Sequence, residues 1–542
     1  MKVVIVGGVA GGMSAATRLR RRDEHADIIV VERGEHVSFA NCGLPYYVGG
    51  VITERSSLLL QTPQSLAARF RIDVRVRHEV VHIDRNARSV TVRDLTTGTE
   101  STETYDALVL SPGASPYVPD FPGSEHALRL RDVADVDRLA AAVADHPRHA
   151  VVMGAGFIGL EVAENLVARG ISVTVVELSD QVLAPLDPEM AALVQQRLTE
   201  HGVTVRTGVQ ILDVTDHTAT LSDGSRVPAD LLVAAIGVRP ESGLARDAGL
   251  DVDSRGGIVV DDHQRTSDPA IFAVGDAAQK RDALDGSATL VPLAQTANRH
   301  GRLVADVLTG RDTSSAAVLG TAIVGVFGMQ VATTGWNEKR LRAAGRAHQV
   351  IHTHPADHAG YYPGAQGMHL KLLCDPHTGD ILGAQGVGDA GIDKRIDVIA
   401  TAIRGGLNAT DLADLELAYA PQFGSAKDPV NMLGFVADNI TSGMLHTIQW
   451  HELAAALEDG AHLIDVRTQG EYDAGSIPGA TLIPVDEIRD RLDELPDGDL
   501  IVHCAVGLRG HIAAQILQGH GRTARNLDGG YATWAAGMSS RN

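Results

Sequence analysis

Two stretches of this chain repeat one pattern, and that pattern leaves little choice of fold. Each reads as a short apolar run, a glycine-rich turn, a helix-compatible segment and a second apolar run ending in an acid. The first is VVIVGGVAGGMSAATRLR followed by DIIVVE, the second AVVMGAGFIGLEVAENL followed by SVTVVE. This is the order of a βαβ unit whose turn carries backbone N–H groups to a pyrophosphate. In the second unit Gly154, Gly156 and Gly159 complete GxGxxG: one glycine for the tight turn, one for close phosphate approach, one for the helix–strand contact. In the first unit Gly7 and Gly12 hold the outer places, Val9 stands where the middle glycine belongs, and Gly8 and Gly11 compensate. Glu32 and Glu177 close the second strands, where a carboxylate accepts ribose hydroxyls. Either turn alone is equally an ordinary strand-to-helix connection; two complete units with terminal acids predict two dinucleotide sites. Glu177 repels a ribose 2′-phosphate and no Arg follows it in LSDQVL, which favours NADH over NADPH. Asp276, after the apolar strand of TSDPAIFAVGDAA, reads as a ligand for a polyol hydroxyl or as a helix N-cap.

The 542 residues suffice for three to four domains with large cores. Hydrophobic residues make up 44% but aromatics only 4%, with 57 glycines, which suits an α/β protein and argues against a base-stacking platform. A net charge of −21 opposes nucleic-acid backbones, so any anionic ligand needs a local basic patch. Cys42, Cys374 and Cys504 are too few and too scattered for a disulfide framework, which implies reduced thiols and a cytoplasmic setting. The N-terminus enters a strand-like run with no separate basic region or cleavage site, unlike a signal peptide. Residues 313–337 are uncharged and long enough to span a bilayer, yet their glycines and β-branched residues predict antiparallel strands rather than membrane insertion. Past Pro421 the pattern changes, and a boundary falls at about 442–446, before LIDVR and LIVHC alternate with helical stretches.

The paired nucleotide units, YDALVLSPGASP and IFAVGD, in this order, resemble the two-dinucleotide-binding-domain flavoprotein disulfide reductases. SFANCGLPYY, residues 38–47, resembles the active-site segment of coenzyme A-disulfide reductases and their NADH oxidase and peroxidase relatives. LIDVRTQGEYDAGSIPGA, HCAVGLRG and NLDGGYATW resemble a rhodanese domain. The whole is similar to coenzyme A-disulfide reductase–rhodanese fusions, which include NADH-dependent persulfide reductases. The resemblance implies an α/β protein with an FAD-binding domain in residues 1–112 and 240–312, an NADH-binding domain in 113–239, an α+β dimerisation domain in 313–441 and an α/β rhodanese domain in 446–542. It implies FAD held by Gly7, Gly8, Gly11, Gly12, Glu32, Asp276 and Tyr419, and NADH by Gly154, Gly156, Gly159 and Glu177.

Cys42 has no second cysteine at CxxC or CxxxxC spacing, so its redox partner must come from elsewhere. Coenzyme A fits, with Cys42 forming a mixed disulfide and Ser38, Asn41 and N–H groups near Gly43 lowering the thiol pKa. Ser14, Arg18 and Arg21 share one helix face opposite Ala15, Ala16 and Leu19; alone they are as well explained as solvated side chains. The resemblance assigns them, with Ser38, Asn41, His300 and Lys427, to coenzyme A, and Arg69 or Arg71 is a further candidate phosphate contact. Tyr361 and Tyr419 match tyrosines placed near the sulfur chemistry across a homodimer, Tyr362 being the neighbouring alternative. A phenol there donates a proton without carrying charge. Ala10 stands where peroxidase and oxidase relatives carry His.

In the C-terminal segment Cys504, Gly507 and Arg509 read as a loop whose N–H groups form an anion nest for a thiolate or persulfide. Asp465 and Arg467 read as a structural salt bridge. Ser476 and Ala505 depart from the family's usual His and basic residue, which suits thiosulfate less well than a neutral or tethered persulfide. Cys374 reads as buried, and His352, His354 and His358 complete no recognised metal-ligand spacing. Three functions stay open on these residues. One is an FAD- and coenzyme A-dependent NADH:persulfide or polysulfide reductase with Cys504 relaying sulfur. Another is a coenzyme A-disulfide reductase with an independent sulfurtransferase, and the third is a non-turnover flavoprotein sensor or sulfur carrier. The partners expected are small persulfides, polysulfides or disulfides and a second copy of the chain.

Overall fold

The apolar runs that flank the glycine turns become the central strands of parallel sheets, as their continuous Val and Ile content requires for strands buried on both faces. The computed structural model describes residues 1–541 and divides into two compact units, residues 1–178 with 209–320 and residues 179–208 with 321 onward.

In the first unit, the parallel sheet runs in the order Ile271–Ala273, Ala107–Leu110, Lys2–Val6, Asp27–Glu32, Asp73–Val76. Val3, Val4, Ile5 and Val30 in its centre are fully buried. The helix Ala10–Arg22 packs its Ala15, Ala16 and Leu19 face into this core. It also lies against the helix Ala294–Leu308 so closely that a Cβ on Gly301 would stand 2.1 Å from the Gly11 carbonyl oxygen. A second parallel set, Ser172–Val176, His149–Met153 and Leu231–Ala234, carries the second glycine turn and the helix Phe157–Ala168.

In the second unit, the uncharged segment 313–337 yields the strands Ala322–Val326 and Met329–Gly335, which pair antiparallel. They belong to a five-stranded sheet completed by Ile381–Gly388, Met368–Cys374 and Gln349–Thr353, under the helices Ile392–Gly405 and Pro429–Thr441. Among the described residues no helix is long and apolar enough to cross a membrane. The chain leaves the helix ending at Thr441 and starts a five-stranded parallel sheet at Thr447, ordered Thr447–Ile448, Ala524–Leu527, Leu500–His503, His462–Asp465, Thr481–Leu482. Residues 179–208, by sequence part of the second nucleotide unit, are gathered here too, with the helix Pro188–Glu200.

Candidate active site

At the first glycine turn, packing requires each glycine. Gly7 has φ +96°, and a Cβ there would stand 2.1 Å from the Ser111 carbonyl oxygen. A Cβ on Gly12 would lie 1.9 Å from the Gly7 carbonyl oxygen, on Gly8 2.7 Å from Val37, and on Gly11 2.9 Å from Ser111 Oγ. The helix Ala10–Arg22 begins without a side-chain cap, so its first N–H groups face the turn unsatisfied by any side chain, the arrangement that receives a phosphate. Glu32 braces the turn: Oε2 accepts from Gly8 N at 2.8 Å and Oε1 from Gly34 N at 2.7 Å, leaving lone pairs for hydroxyls. The second turn repeats this. Gly154 has φ +98°, Gly159 would place a Cβ 2.0 Å from the Gly154 carbonyl oxygen, and Glu177 Oε2 accepts from Ala155 N at 2.8 Å. Gly156 has nothing within 4 Å of where its Cβ would be, so this glycine leaves open space for a ligand rather than serving the fold. Both turns fit a dinucleotide. Asp276 lies on the turn Gly275–Ala277 directly after its strand, and burial holds its carboxyl above the usual range. The buried Lys280 beside it donates to the Gly275 and Ala278 carbonyls at 2.5 and 2.9 Å, and burial pulls its pKa down to about 8.

Cys42 sits in the turn Asn41–Gly43, followed by the helix Leu44–Val48. This segment is tied to the first glycine turn through Ser38, held at φ +49°, whose N–H donates to the Gly8 carbonyl at 2.8 Å. The thiol is exposed, but its pKa is raised, not lowered as the sequence suggested. Partial burial is the main cause, and the carboxylates Glu161 and Asp276 add to it. Two of the expected donors are engaged elsewhere, Gly43 N–H at the Ala40 carbonyl (2.9 Å) and Asn41 N–H at the Phe39 carbonyl (3.1 Å), and the backbone N–H of Cys42 itself lowers the pKa by less than burial raises it. The Asn41 amide turns its oxygen toward Sγ, at 3.9 Å, and so accepts from the thiol rather than stabilising a thiolate. Glu161 is the residue that sequence reasoning missed. It stands two places after Gly159 on the helix Phe157–Ala168 and accepts a hydrogen bond from Tyr46 at 3.0 Å. Gly49 is pressed against Asn165 of the same helix, and Arg55 makes a two-pronged bond to Asp137 at 2.8 and 2.7 Å. The cysteine segment is thus clamped to the helices of the second nucleotide unit.

Of the residues expected near coenzyme A, Ser14 Oγ donates to Asn298 Oδ1 at 2.5 Å, and Arg18 is ion-paired with Asp306 at 2.8 Å. Arg21, Arg69, Arg71 and Lys427 are exposed. His300 is buried with Nδ1 unpartnered, and burial lowers its pKa to about 4, so it offers a neutral ring rather than a cation. Arg21, Ser38 and Asn41 carry donor groups suited to a phosphorylated, amide-rich ligand, and Ser14, its proton given to Asn298, offers acceptor lone pairs. In the second unit the exposed Tyr361 and Tyr419 come together, their hydroxyls 2.9 Å apart, while Tyr362 turns its ring to His358 at 5.6 Å.

In the C-terminal sheet, Cys504 is buried at the end of the strand Leu500–His503, and Gly507, at φ +98°, donates its N–H to Cys504 Sγ at 3.1 Å. Arg509 donates to Glu471 through both terminal guanidinium nitrogens, Nη1 at 2.8 Å. Glu471 closes a capping box with Thr468, a TxxE signal legible in the sequence but unused. Asp465 and Arg467 form a buried pair at 2.6 Å. Cys374 is buried and its pKa rises to about 12. Three buried carboxylates, Asp187, Glu189 and Glu338, converge as metal ligands would, but Lys371 Nζ fills their centre at 3.0, 2.6 and 2.6 Å. His352 joins this network, with Nε2 3.2 Å from Glu189 and Nδ1 2.6 Å from Asp528. His354 bonds Thr533 at 2.8 Å, and His358 bonds Asp357 at 2.9 Å.

Residues 1–301 match the pyridine nucleotide-disulphide oxidoreductase model, 321–429 its dimerisation domain, and 449–537 the rhodanese-like domain. The chain belongs to the pyridine nucleotide-disulphide oxidoreductase family. It is 34% identical over 441 residues to the coenzyme A disulfide reductase of Staphylococcus haemolyticus, covering 81% of this chain and 100% of that protein. Among solved structures it is similar to the reduced CoADR-RHD of Bacillus anthracis, at 48% identity and a TM-score of 0.98, covering 100% of this chain and 98% of the other. It is also similar to the NAD-dependent persulfide reductase of A. fulgidus, at 37% identity and a TM-score of 0.93, covering 98% and 100%. The chain is therefore a flavoprotein-family disulfide oxidoreductase fused to a rhodanese domain, and the fusion resemblance read from the sequence holds.

Proposed function

We propose that this protein is an FAD- and coenzyme A-dependent NADH:persulfide or polysulfide reductase that releases sulfide, with Cys504 relaying sulfur. The observation that carries the reading is the pairing of a solitary exposed cysteine, Cys42, clamped between two dinucleotide turns, with a second thiol, Cys504, set against a backbone N–H in a rhodanese loop. The similarity to an NAD-dependent persulfide reductase along nearly the whole chain supports it.

Bound FAD supplies two-electron transfer from NADH to a disulfide at Cys42. The residues of the chain do the rest. Gly7, Gly8, Gly11, Gly12, Glu32 and Asp276 hold the flavin nucleotide, and Gly154, Gly156, Gly159 and Glu177 hold NADH. Cys42 attacks the carrier-bound inner sulfur of coenzyme A persulfide, breaking its S–S bond and expelling hydrosulfide, or one sulfur of coenzyme A disulfide, expelling coenzyme A thiolate; either way it forms a mixed disulfide with coenzyme A, bound by Ser14, Arg18, Arg21, Ser38, Asn41, His300 and Lys427. Tyr361 and Tyr419, joined by their hydroxyls, supply a proton to the leaving thiolate. Burial, with Glu161 and Asp276 adding to it, favours the thiol form of Cys42 in the chain alone. The matched dimerisation domain supports a homodimer, and the unpaired cysteines support a reducing, cytoplasmic setting.

The second reading, a coenzyme A-disulfide reductase with an independent sulfurtransferase, is favoured by the staphylococcal relatives. Anaerobic NADH oxidation with simultaneous sulfide detection separates the two. Stoichiometric sulfide from coenzyme A persulfide, lost in Cys42→Ser, supports persulfide reduction. Turnover of coenzyme A disulfide alone, undiminished in Cys504→Ser, moves the assignment to the second reading.

A further inference from the structure

We propose that the Cys504 loop takes sulfur from a monoanionic persulfide on a neutral thiol and discriminates against thiosulfate, because Glu471 holds the loop's one outward guanidinium, Arg509, in an ion pair beside an apolar rim. The proposal rests on the relay reading above and names its donor class.

The charges around Cys504 are all answered within the fold. Arg467 is buried against Asp465, Nη2 to Oδ2 at 2.6 Å, and donates to the Gly475 carbonyl at 2.7 Å. Arg509 interacts with Cys504 as well as with Glu471, so the cation nearest the sulfur arrives already paired. Glu471 is fixed from its other side by Thr468, whose N–H and hydroxyl donate to Oε2 at 3.0 and 2.8 Å. The two imidazoles nearest the loop, His503 before the cysteine and His511 in the first turn of the helix Leu508–Gly519, are both pushed toward the neutral form by burial. What remains for an anion is the backbone N–H of Gly507 and its neighbours. Such a nest offers an anion partial charges only, with no full cation left unpaired beside it.

The entrance reinforces this. Cys504 has no exposed surface, while Val506 of the same loop and Leu508 and Ile512 in the helix that follows stand 40%, 58% and 42% exposed. A donor reaching Sγ exchanges water for that rim. The Born cost of doing so grows with the square of the charge, so a dianion bears about four times the penalty of a monoanion. An uncharged arm on the carrier gains by covering the rim instead.

The transfer is isoelectronic: R–S–S⁻ and Cys504–SH give Cys504–S–S⁻ and R–SH. The carrier's S–S bond breaks, the Cys504 S–S bond forms, and the thiol proton passes to the departing thiolate.

The test measures persulfidation of Cys504 in the full-length protein without NADH, by mass spectrometry after alkylation. The donors are N-acetylcysteamine persulfide and inorganic thiosulfate. The expected result is labelling at least tenfold faster by the persulfide in the wild type. Glu471→Gln keeps the capping box and releases Arg509, and is expected to speed thiosulfate labelling about tenfold with persulfide labelling unchanged. Adding Arg509→Gln to Glu471→Gln returns the preference to that of the wild type. Equal labelling of the wild type by both donors, or no gain for thiosulfate in Glu471→Gln, overturns the proposal while leaving the relay standing. No labelling of Cys504 by either donor overturns the relay reading and this proposal with it.

Discussion

His352 should make the second unit lose stability as the solution becomes alkaline. Its imidazole is completely buried between Asp528 and Glu189, and those two carboxylates outweigh burial and the nearby Lys371 to raise its pKa from 6.5 to about 9. The neighbouring His354 and His369 are both shifted toward the neutral form and add little charge. A group whose folded pKa is raised contributes stability that is complete below its unfolded value, here about 6.5, and is lost as pH climbs through the folded value near 9. A shift of that size corresponds to about 3 kcal/mol at 1.36 kcal/mol per unit. Hydrogen exchange resolved by mass spectrometry, read on the strands Gln349–Thr353 and Ala524–Leu527 at pH 6, 7.5 and 9.5 after correction for intrinsic exchange, is the suitable assay, because a chain of this size need not unfold in two states. The wild type should lose roughly a hundredfold protection from the lowest pH to the highest. His352→Gln, less protected at pH 6, should change far less over the same range. Parallel pH profiles for the two proteins would refute an imidazolium at this position.

Two further predictions concern the nucleotide and thiol sites. Glu161→Gln removes a carboxylate that holds Cys42 protonated, so alkylation of Cys42 by iodoacetamide should reach its half-maximal rate at lower pH than in the wild type; an unchanged or higher midpoint would show that Glu161 does not act on the thiol. Glu177→Gln retains an acceptor for Ala155 N–H but not the charge, and kcat/KM for NADPH relative to NADH should rise about tenfold, the effect of removing one like-charge repulsion at a partly solvated site. An unchanged ratio would place the discrimination elsewhere.

The features legible in the sequence were those that act over short range. The glycines of both turns announce themselves by their spacing within a few residues, although the atoms that crowd Gly7 and Gly154 come from Ser111 and Ala235, and Glu32 and Glu177 do so because a strand ending in an acid places it beside the preceding turn. The uncharged 313–337 segment was readable as strands because its glycines and β-branched residues speak for themselves. The proton state of Cys42 was not legible. It depends on the fold bringing in Glu161, whose contact Tyr46 lies 115 positions away, and on local N–H groups that turn geometry commits to other carbonyls. The same holds for Arg18, whose place on a polar helix face gave no sign of Asp306 on a distant helix. Tyr361 and Tyr419, 58 positions apart, were singled out by resemblance, and their contact is a matter of tertiary structure that no spacing rule expresses.

The Lys371 and His352 network bears on how this protein can be taken apart. Asp528 comes from the C-terminal sheet, Glu189 from the segment after the second nucleotide strand, and His352 and Lys371 from the antiparallel sheet, so three stretches distant in sequence share one dry knot of charge. Severing the chain near residue 441 strips His352 of an anion and opens the knot to water. Such a truncate is a different electrostatic object from the parent, and its failings would say little about sulfur transfer. Single-atom changes at Cys504 dissect the two chemistries cleanly; scissors do not.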